Sequence, residues 1–186
     1  MLTSTAQAGQ FFLHGLLTAF LPLYAVDHAG LSAAQAGLLF GAQMLTTIVS
    51  RPLFGTVSDR VGRPPMIVGG LTTCAAAVAG LSFAESLAVL LTMSALYGAG
   101  LAVTTSSAAA LITDLADRSR YGAAHGLFGT IFDIGDALGP IVGGLVAARI
   151  GYARTFQTAA LAAFALAMMF GAIAARWRLR MPGPVD

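Results

Sequence analysis

The sequence predicts an all-α polytopic membrane protein, with six transmembrane helices gathered into one bundle. Three observations carry that prediction. The 186 residues are 57% hydrophobic and only 10% charged, against about 25% charged in an ordinary soluble domain. Mean hydropathy is +0.80. The few charges are confined to short clusters, and the gaps between clusters are long enough for a helix to cross a bilayer core, which takes about 20 apolar residues.

The charges delimit each element. None occurs before Asp27, between Asp27 and Arg51, between Arg63 and Glu85, between Glu85 and Asp114, or between Arg154 and Arg176. The predicted spans are 9–26, 33–57, 64–84, 87–112, 122–148 and 154–175, with a tail at 176–186. The fifth span is apolar apart from Asp133 and Asp136. Spans that are apolar on all sides belong in a membrane, and short connections predict that consecutive helices are antiparallel neighbours. Residues 1–8 lack the positive start of a signal peptide, so the first span reads as retained.

Arginine supplies every basic side chain, since lysine is absent. Arg60, Arg63, Arg118, Arg120, Arg176, Arg178 and Arg180 fall on one side of the predicted topology, and only Arg149 and Arg154 on the other. The positive-inside rule then places both termini in the cytoplasm of a cell (inner or plasma) membrane. Tyr24, Tyr152 and Trp177 sit near span ends, where interfacial aromatics belong. The formal charge of +2, with no basic stripe interleaved with aromatics, gives no nucleic-acid surface. The lone Cys74 can form no internal disulfide, and no Cys/His spacing suits a metal. No activated Ser/His or Cys/His arrangement and no phosphate-binding loop points to an enzyme or a cofactor.

The densest charge cluster is Gly55-Thr56-Val57-Ser58-Asp59-Arg60-Val61-Gly62-Arg63-Pro64, between spans two and three. Gly55 offers a smooth surface to an approaching helix. Gly62 suits a positive φ in a tight connection. Asp59 is expected near a helix N-terminus. Arg60 and Arg63 are placed to reach carboxylates at neighbouring span ends, among them Asp114 and Asp117. Gly55, Asp59, Arg60, Gly62 and Arg63 match G-x-x-x-D-R-x-G-R, which resembles the loop signature of the major facilitator superfamily. The resemblance implies a cytoplasmic latch between helices, rearranged during alternating access. Where the family often has a further basic residue, this chain has Pro64, which suits the first turn of a helix.

Gly126, Gly135, Gly139, Pro140, Gly143 and Gly144 fit G-x8-G-x3-G-P-x2-G-G. This is similar to the glycine-proline motif of span five in proton-coupled antiporters of the same superfamily. Gly135, Gly139 and Gly143 recur every four residues and predict a ridge for close packing. Pro140 removes the donor for the Asp136 carbonyl, so a bend is expected. Asp133 and Asp136 are three apart and share a helix surface. Desolvation and mutual repulsion both favour one of them carrying a proton. His14 in span one is another ionisable group at membrane depth. These three are the candidates for proton coupling, beside the plainer reading of hydrogen-bonded packing residues.

The resemblance implies half of a twelve-span transporter. The other half, from this or another chain, would be the partner, and the implied cargo is a small organic solute exchanged with protons. Ser94 stands four before Gly98, where first halves usually carry an arginine, and Phe132-Asp133-Ile134-Gly135 with Gly139-Pro140 resembles an eleventh span. Both favour a second half; the full glycine-proline match favours a first. A membrane remnant, or a regulatory partner of a full transporter, is the alternative.

Overall fold

The computed structural model describes residues 2–115 and 121–178, and it is helical throughout them apart from short connections. The helices are α1 (Leu2–Asp27), α2 (Ala33–Val61), α3 (Arg63–Leu81), α4 (Leu87–Leu115), α5 (Tyr121–Ile150) and α6 (Tyr152–Arg178). All six are long and apolar enough to cross a bilayer. Asp117, Arg118, Arg120 and Arg180 lie outside the described residues, as do the side chains of Trp177 and Arg178.

Local chemistry sets the ends. Ser32 caps α2: its hydroxyl accepts from the Gln35 amide at 3.3 Å, and its own amide donates to the Gln35 side chain at 2.9 Å. That reciprocal pair satisfies two orphan donors at the helix start. Gly62 takes φ 101°, a region open to glycine and strained for other residues, and this turns the chain directly from α2 into α3. Pro64 then occupies the first turn of α3, where its missing N–H costs nothing. Two boundaries depart from the sequence expectation. The Gly55–Val61 segment is the last two turns of α2, not a loop: the helix runs on through Pro52 and ends only at Gly62. Asp59 therefore sits in a helix C-terminal turn, not at an N-terminus, and needs a cation to offset the dipole.

The expectation that consecutive helices pack as neighbours holds fully only for α3 with α4. The other close pairs are α2 with α4, α1 with α5, and α3 with α6. Small residues explain this, because they decide where backbones can meet. A Cβ on Gly135 would lie 2.6 Å from the Ala8 carbonyl oxygen, and one on Gly139 would lie 2.6 Å from the Leu16 amide. Gly98 of α4 abuts the Gln43 carbonyl of α2, where Thr47 also donates to the Gly98 carbonyl at 3.0 Å. Gly70 and Gly100 close α3 onto α4. Under a shift of three helices, the α1–α5 pair becomes α4–α2, so the packing carries an internal repeat that the residues do not spell out.

The core is dominated by α1, α3 and α4: Leu13, Leu17, Leu21, Cys74, Val78, Leu81, Leu90 and Tyr97 are fully enclosed. Half of the apolar window of α1 and of α4 is buried (50% each), against 17% for α5. α2 and α5 therefore flank the bundle and turn broad apolar faces outward. A concavity of about 720 Å³ between α3 and α6 has apolar walls of Ala75, Ala76, Ala79, Ala160 and Phe164. None of the polar residues described next lines it.

Candidate functional site

Two constellations stand out from this apolar framework. The first is the charged knot at the α2–α3 junction. Arg63, at the start of α3, reaches Asp59 Oδ1 with Nη1 at 2.5 Å and Asp114 Oδ2 with Nε at 3.2 Å. Nη1 also donates to Ser58 Oγ at 2.6 Å, and that hydroxyl donates to the Gly55 carbonyl at 2.9 Å. One guanidinium thus ties together the end of α2, the start of α3 and the end of α4. The planar fork makes this possible, because separate N–H groups reach two carboxylates in different directions. Nearby, Thr113 of α4 and His125 of α5 approach at 3.2 Å.

Not every motif residue joins the knot. Arg60 is exposed, and no ion pair engages it among the described residues. A methyl group added to Gly55 would meet nothing within 4 Å, so among the described residues no helix packs closely there. Because the carboxylates are largely solvent-exposed (59% and 54%), replacing Arg63 should cost the fold only about 1 kcal/mol. Arg63→Lys is expected to melt with Arg63→Ala, since an ammonium cannot hold both carboxylates and Ser58 at once. Thermal unfolding in detergent checks this; recovery of the wild-type midpoint by lysine would refute the two-carboxylate fork.

The second constellation is a polar seam inside the bundle. Gln7, Gln10 and His14 share one face of α1 at i, i+3 and i+7. Tyr97 of α4 and Asp136 of α5 join that face, and Gln43 of α2 with Ser94 and Ser107 of α4 are further buried polar residues of the bundle. The glutamines, serines and Tyr97 are buried, and Gln10 and Tyr97 have no exposed surface. Gln10 Nε2 donates to Cys74 Sγ at 3.2 Å, and the thiol reaches the Tyr97 carbonyl at 3.6 Å. Other polar atoms inside the bundle, among them Gln7 Oε1, Gln43 Oε1, Ser107 Oγ, His14 Nδ1 and Asp136 Oδ1, are buried without a hydrogen-bond partner among the described residues. Each such group costs about 1–3 kcal/mol when left dry. An apolar bundle that accumulates them is built for something other than stability.

At the middle of the seam, His14 and Asp136 are close enough to interact electrostatically. The His14 and Tyr97 rings are near-parallel with centroids 6.5 Å apart. The glycine ridge sets this geometry. Gly135, Gly139 and Gly143 seat α5 on α1, and Gly15 packs on the Asp136 carbonyl, the one that Pro140 leaves without a helical donor. α5 nevertheless runs unbroken through Pro140. Gly144 contributes a looser contact, 3.4 Å to Phe20, and Gly126 makes none. Asp133 is exposed on the outer face of α5, so the structure separates two carboxylates that are neighbours in the sequence pattern.

Sequence reasoning missed Gln7, Gln10, Gln43, Tyr97 and Ser107 as members of a site. The i, i+3, i+7 spacing on α1 was the available signal.

Six membrane-length helices define an integral membrane protein. The sequence pattern of the Major Facilitator Superfamily matches residues 3–185, and the chain belongs to that family. It is 30% identical to the inner membrane transport protein YajR of Escherichia coli over 160 residues, which is 86% of this chain and 34% of that protein. It is 31% identical to the multidrug resistance protein MdtG of Yersinia enterocolitica, covering 83% of this chain and 38% of the relative. It is also 30% identical to a chloramphenicol resistance protein of Pseudomonas aeruginosa, at 80% and 34% coverage. The chain thus spans about a third of the length of these curated relatives.

Proposed function

We propose that the chain works as one six-helix half of a secondary active transporter that exchanges protons for a small organic solute, in the direction of efflux. The observation that carries this reading is the His14–Asp136 pair, two ionisable groups held at membrane depth with buried unpartnered atoms. Ionisable groups are expensive there and mark ion or proton paths. The orphaned seam around them can accept water or solute hydroxyls and amides in a conformation that opens it. In this reading Arg63, Asp59 and Asp114 latch one state of the alternating-access cycle, in which two six-helix bundles rock about a shared site. The arginines near the latch support a reading with that end, and both termini, on the cytoplasmic side.

The relatives named for drug resistance supply a first probe. Purified chain in liposomes loaded with a pH-sensitive dye should convert an imposed chloramphenicol gradient into a lumenal pH change. Citrate is the second probe, since the chain is also 29% identical over 126 residues to a citrate exporter of Aspergillus niger. A chain that moves neither protons nor either solute, yet stabilises a full-length transporter on co-expression, would instead be a regulatory partner.

A further inference from the structure

The junction of α3 with α6 changes character along its length. Near the knot it is closed: a methyl group on Gly171 would lie 3.2 Å from Val68 Cγ2. Beyond that contact, Ala75, Ala76 and Ala79 of α3 and Ala160 of α6 have side chains too short to fill the gap, which leaves the concavity of about 720 Å³. On α3 it extends from Ala79 to Thr72. That helix has 19 residues, about 28 Å of axis, close to the roughly 30 Å of a hydrocarbon core. Ala79 stands two residues from its end at Leu81, and Thr72 is its middle residue. The concavity therefore runs from one edge of the membrane core to its centre, the depth of a single leaflet.

A polar stripe leads into it along α6. Arg154, Gln157, Leu161 and Phe164 follow one another at spacings of three, four and three, so they share one helix face. The last three line the concavity. Gln157 is half-buried there, and its carboxamide makes no hydrogen bond among the described residues. An amide out of water without a partner is costly. Arg154, one turn nearer the helix start at Tyr152, is exposed and has no ion pair among the described residues. At the floor, by contrast, nothing polar is left over: the Thr72 and Thr73 hydroxyls donate to carbonyls of their own helix, at 2.8 Å to Gly69 in each case. From mouth to floor the order is guanidinium, carboxamide, apolar wall.

We propose that this concavity holds one acyl chain of a glycerophospholipid from the leaflet opposite the knot, with the lipid phosphate on Arg154 and an ester carbonyl on the Gln157 amide. A guanidinium pairs with phosphate through two parallel N–H donors, and a carboxamide has N–H donors to offer an ester. Gln157 lies about 4.5 Å along the axis below Arg154, which is the order in which a phospholipid presents its phosphate and its ester. A free fatty acid carries its only polar group at the chain end and would leave one of the two side chains unpaired. A lipid of the other leaflet meets the Val68–Gly171 contact instead of an opening. None of these residues belongs to the knot or to the polar seam, so the assignment is independent of the transport reading.

The test is binding of dioleoylphosphatidylglycerol to the delipidated full chain in detergent, counted by native mass spectrometry. Wild type should retain one lipid. Arg154→Gln and Gln157→Leu should each weaken retention about tenfold. Ala76→Phe, which fills the concavity from an exposed wall position, should abolish it, whereas Ala162→Phe, exposed on α6 but outside the wall, should leave it unchanged. Added lipid should raise the melting midpoint of wild type and Ala162→Phe but not of Ala76→Phe. Oleate, the probe without phosphate or ester, should bind about tenfold more weakly than the phospholipid. Equal retention by wild type and Ala76→Phe would reduce the contact to ordinary solvation by the bilayer and overturn the proposal, and oleate binding as tightly as the phospholipid would overturn the roles of Arg154 and Gln157. Should Ala76→Phe fail to fold, wild type in liposomes can be photolabelled by a phospholipid with a diazirine in mid-chain. Adducts concentrated at 72–79 and 157–164 support the site, and adducts spread over every exposed helix face overturn it.

Discussion

Gly139→Leu is expected to prevent α1 and α5 from associating, and with that to remove most folded protein from detergent extracts. A Cβ at position 139 would already collide with the Phe12 carbonyl and lie 2.6 Å from the Leu16 amide. Both obstacles are backbone atoms of α1, so no rotamer change relieves them. Overpacking against movable side chains costs about 1–3 kcal/mol, and here the whole helix must retreat, so a loss of about 3 kcal/mol or more is the expected result. The same retreat would withdraw Gly15 from the Asp136 carbonyl and split His14 from Asp136. Gly37→Ala is the matched control. It too replaces a helical glycine, but nothing lies within 4 Å of it. Its midpoint should hold or rise, as helix propensity predicts. Chemical unfolding followed by circular dichroism separates the two; equal midpoints would mean that the ridge does not hold α5.

Much of this fold was legible in the sequence, for a physical reason. Charges are costly in lipid, so Asp27, Asp59–Arg63, Glu85, Asp114 and Arg149–Arg154 mark helix ends, and all six spans follow from them. Helix partners were less legible. Without a hydrophobic force between helices in lipid, neighbours are chosen by matching small residues, and a match is a property of two sequences at once. The glycines of α5 announced a ridge, but nothing in them named Ala8, Phe12 and Gly15 as its counterpart. The same limit applies to the charges. Arg63 with Asp59 has a spacing of four visible in the sequence, although Gly62 breaks the helix between them, and Asp114 was reachable as its second partner. Arg60, equally basic and three residues away, stands apart because its side chain leaves α2 in another direction. Asp133 and Asp136 show the opposite failure: a spacing of three implies a shared surface, while the packing of α1 against one edge of α5 takes only Asp136 inside. The polar seam was hidden by averaging. Three glutamines dispersed through leucine and alanine leave a window's hydropathy high, although their burial is what sets this bundle apart from an inert anchor.

Asp136→Asn is expected to raise stability and abolish coupling, and the opposite signs are the informative part. As a carboxylate, Asp136 has a buried oxygen with no donor among the described residues, beside an apolar ridge. An amide of the same shape removes the charge and keeps the packing, so the melting midpoint should rise, as commonly happens when strained functional polar groups are neutralised. Proton movement should fall about a hundredfold or more, the lower range for removing a positioned proton-transfer group, because the remaining ionisable partner in the seam is His14. Solute binding should survive, since Asn retains the shape and one acceptor. Asp133→Asn is predicted to behave differently. That side chain is exposed on the outer face, so proton movement should stay near the wild-type level. Dye-loaded liposomes read both variants in one experiment. Normal proton flux in Asp136→Asn would take the proton site out of the seam, and a comparable loss of flux in Asp133→Asn would place that carboxylate on the proton path after all.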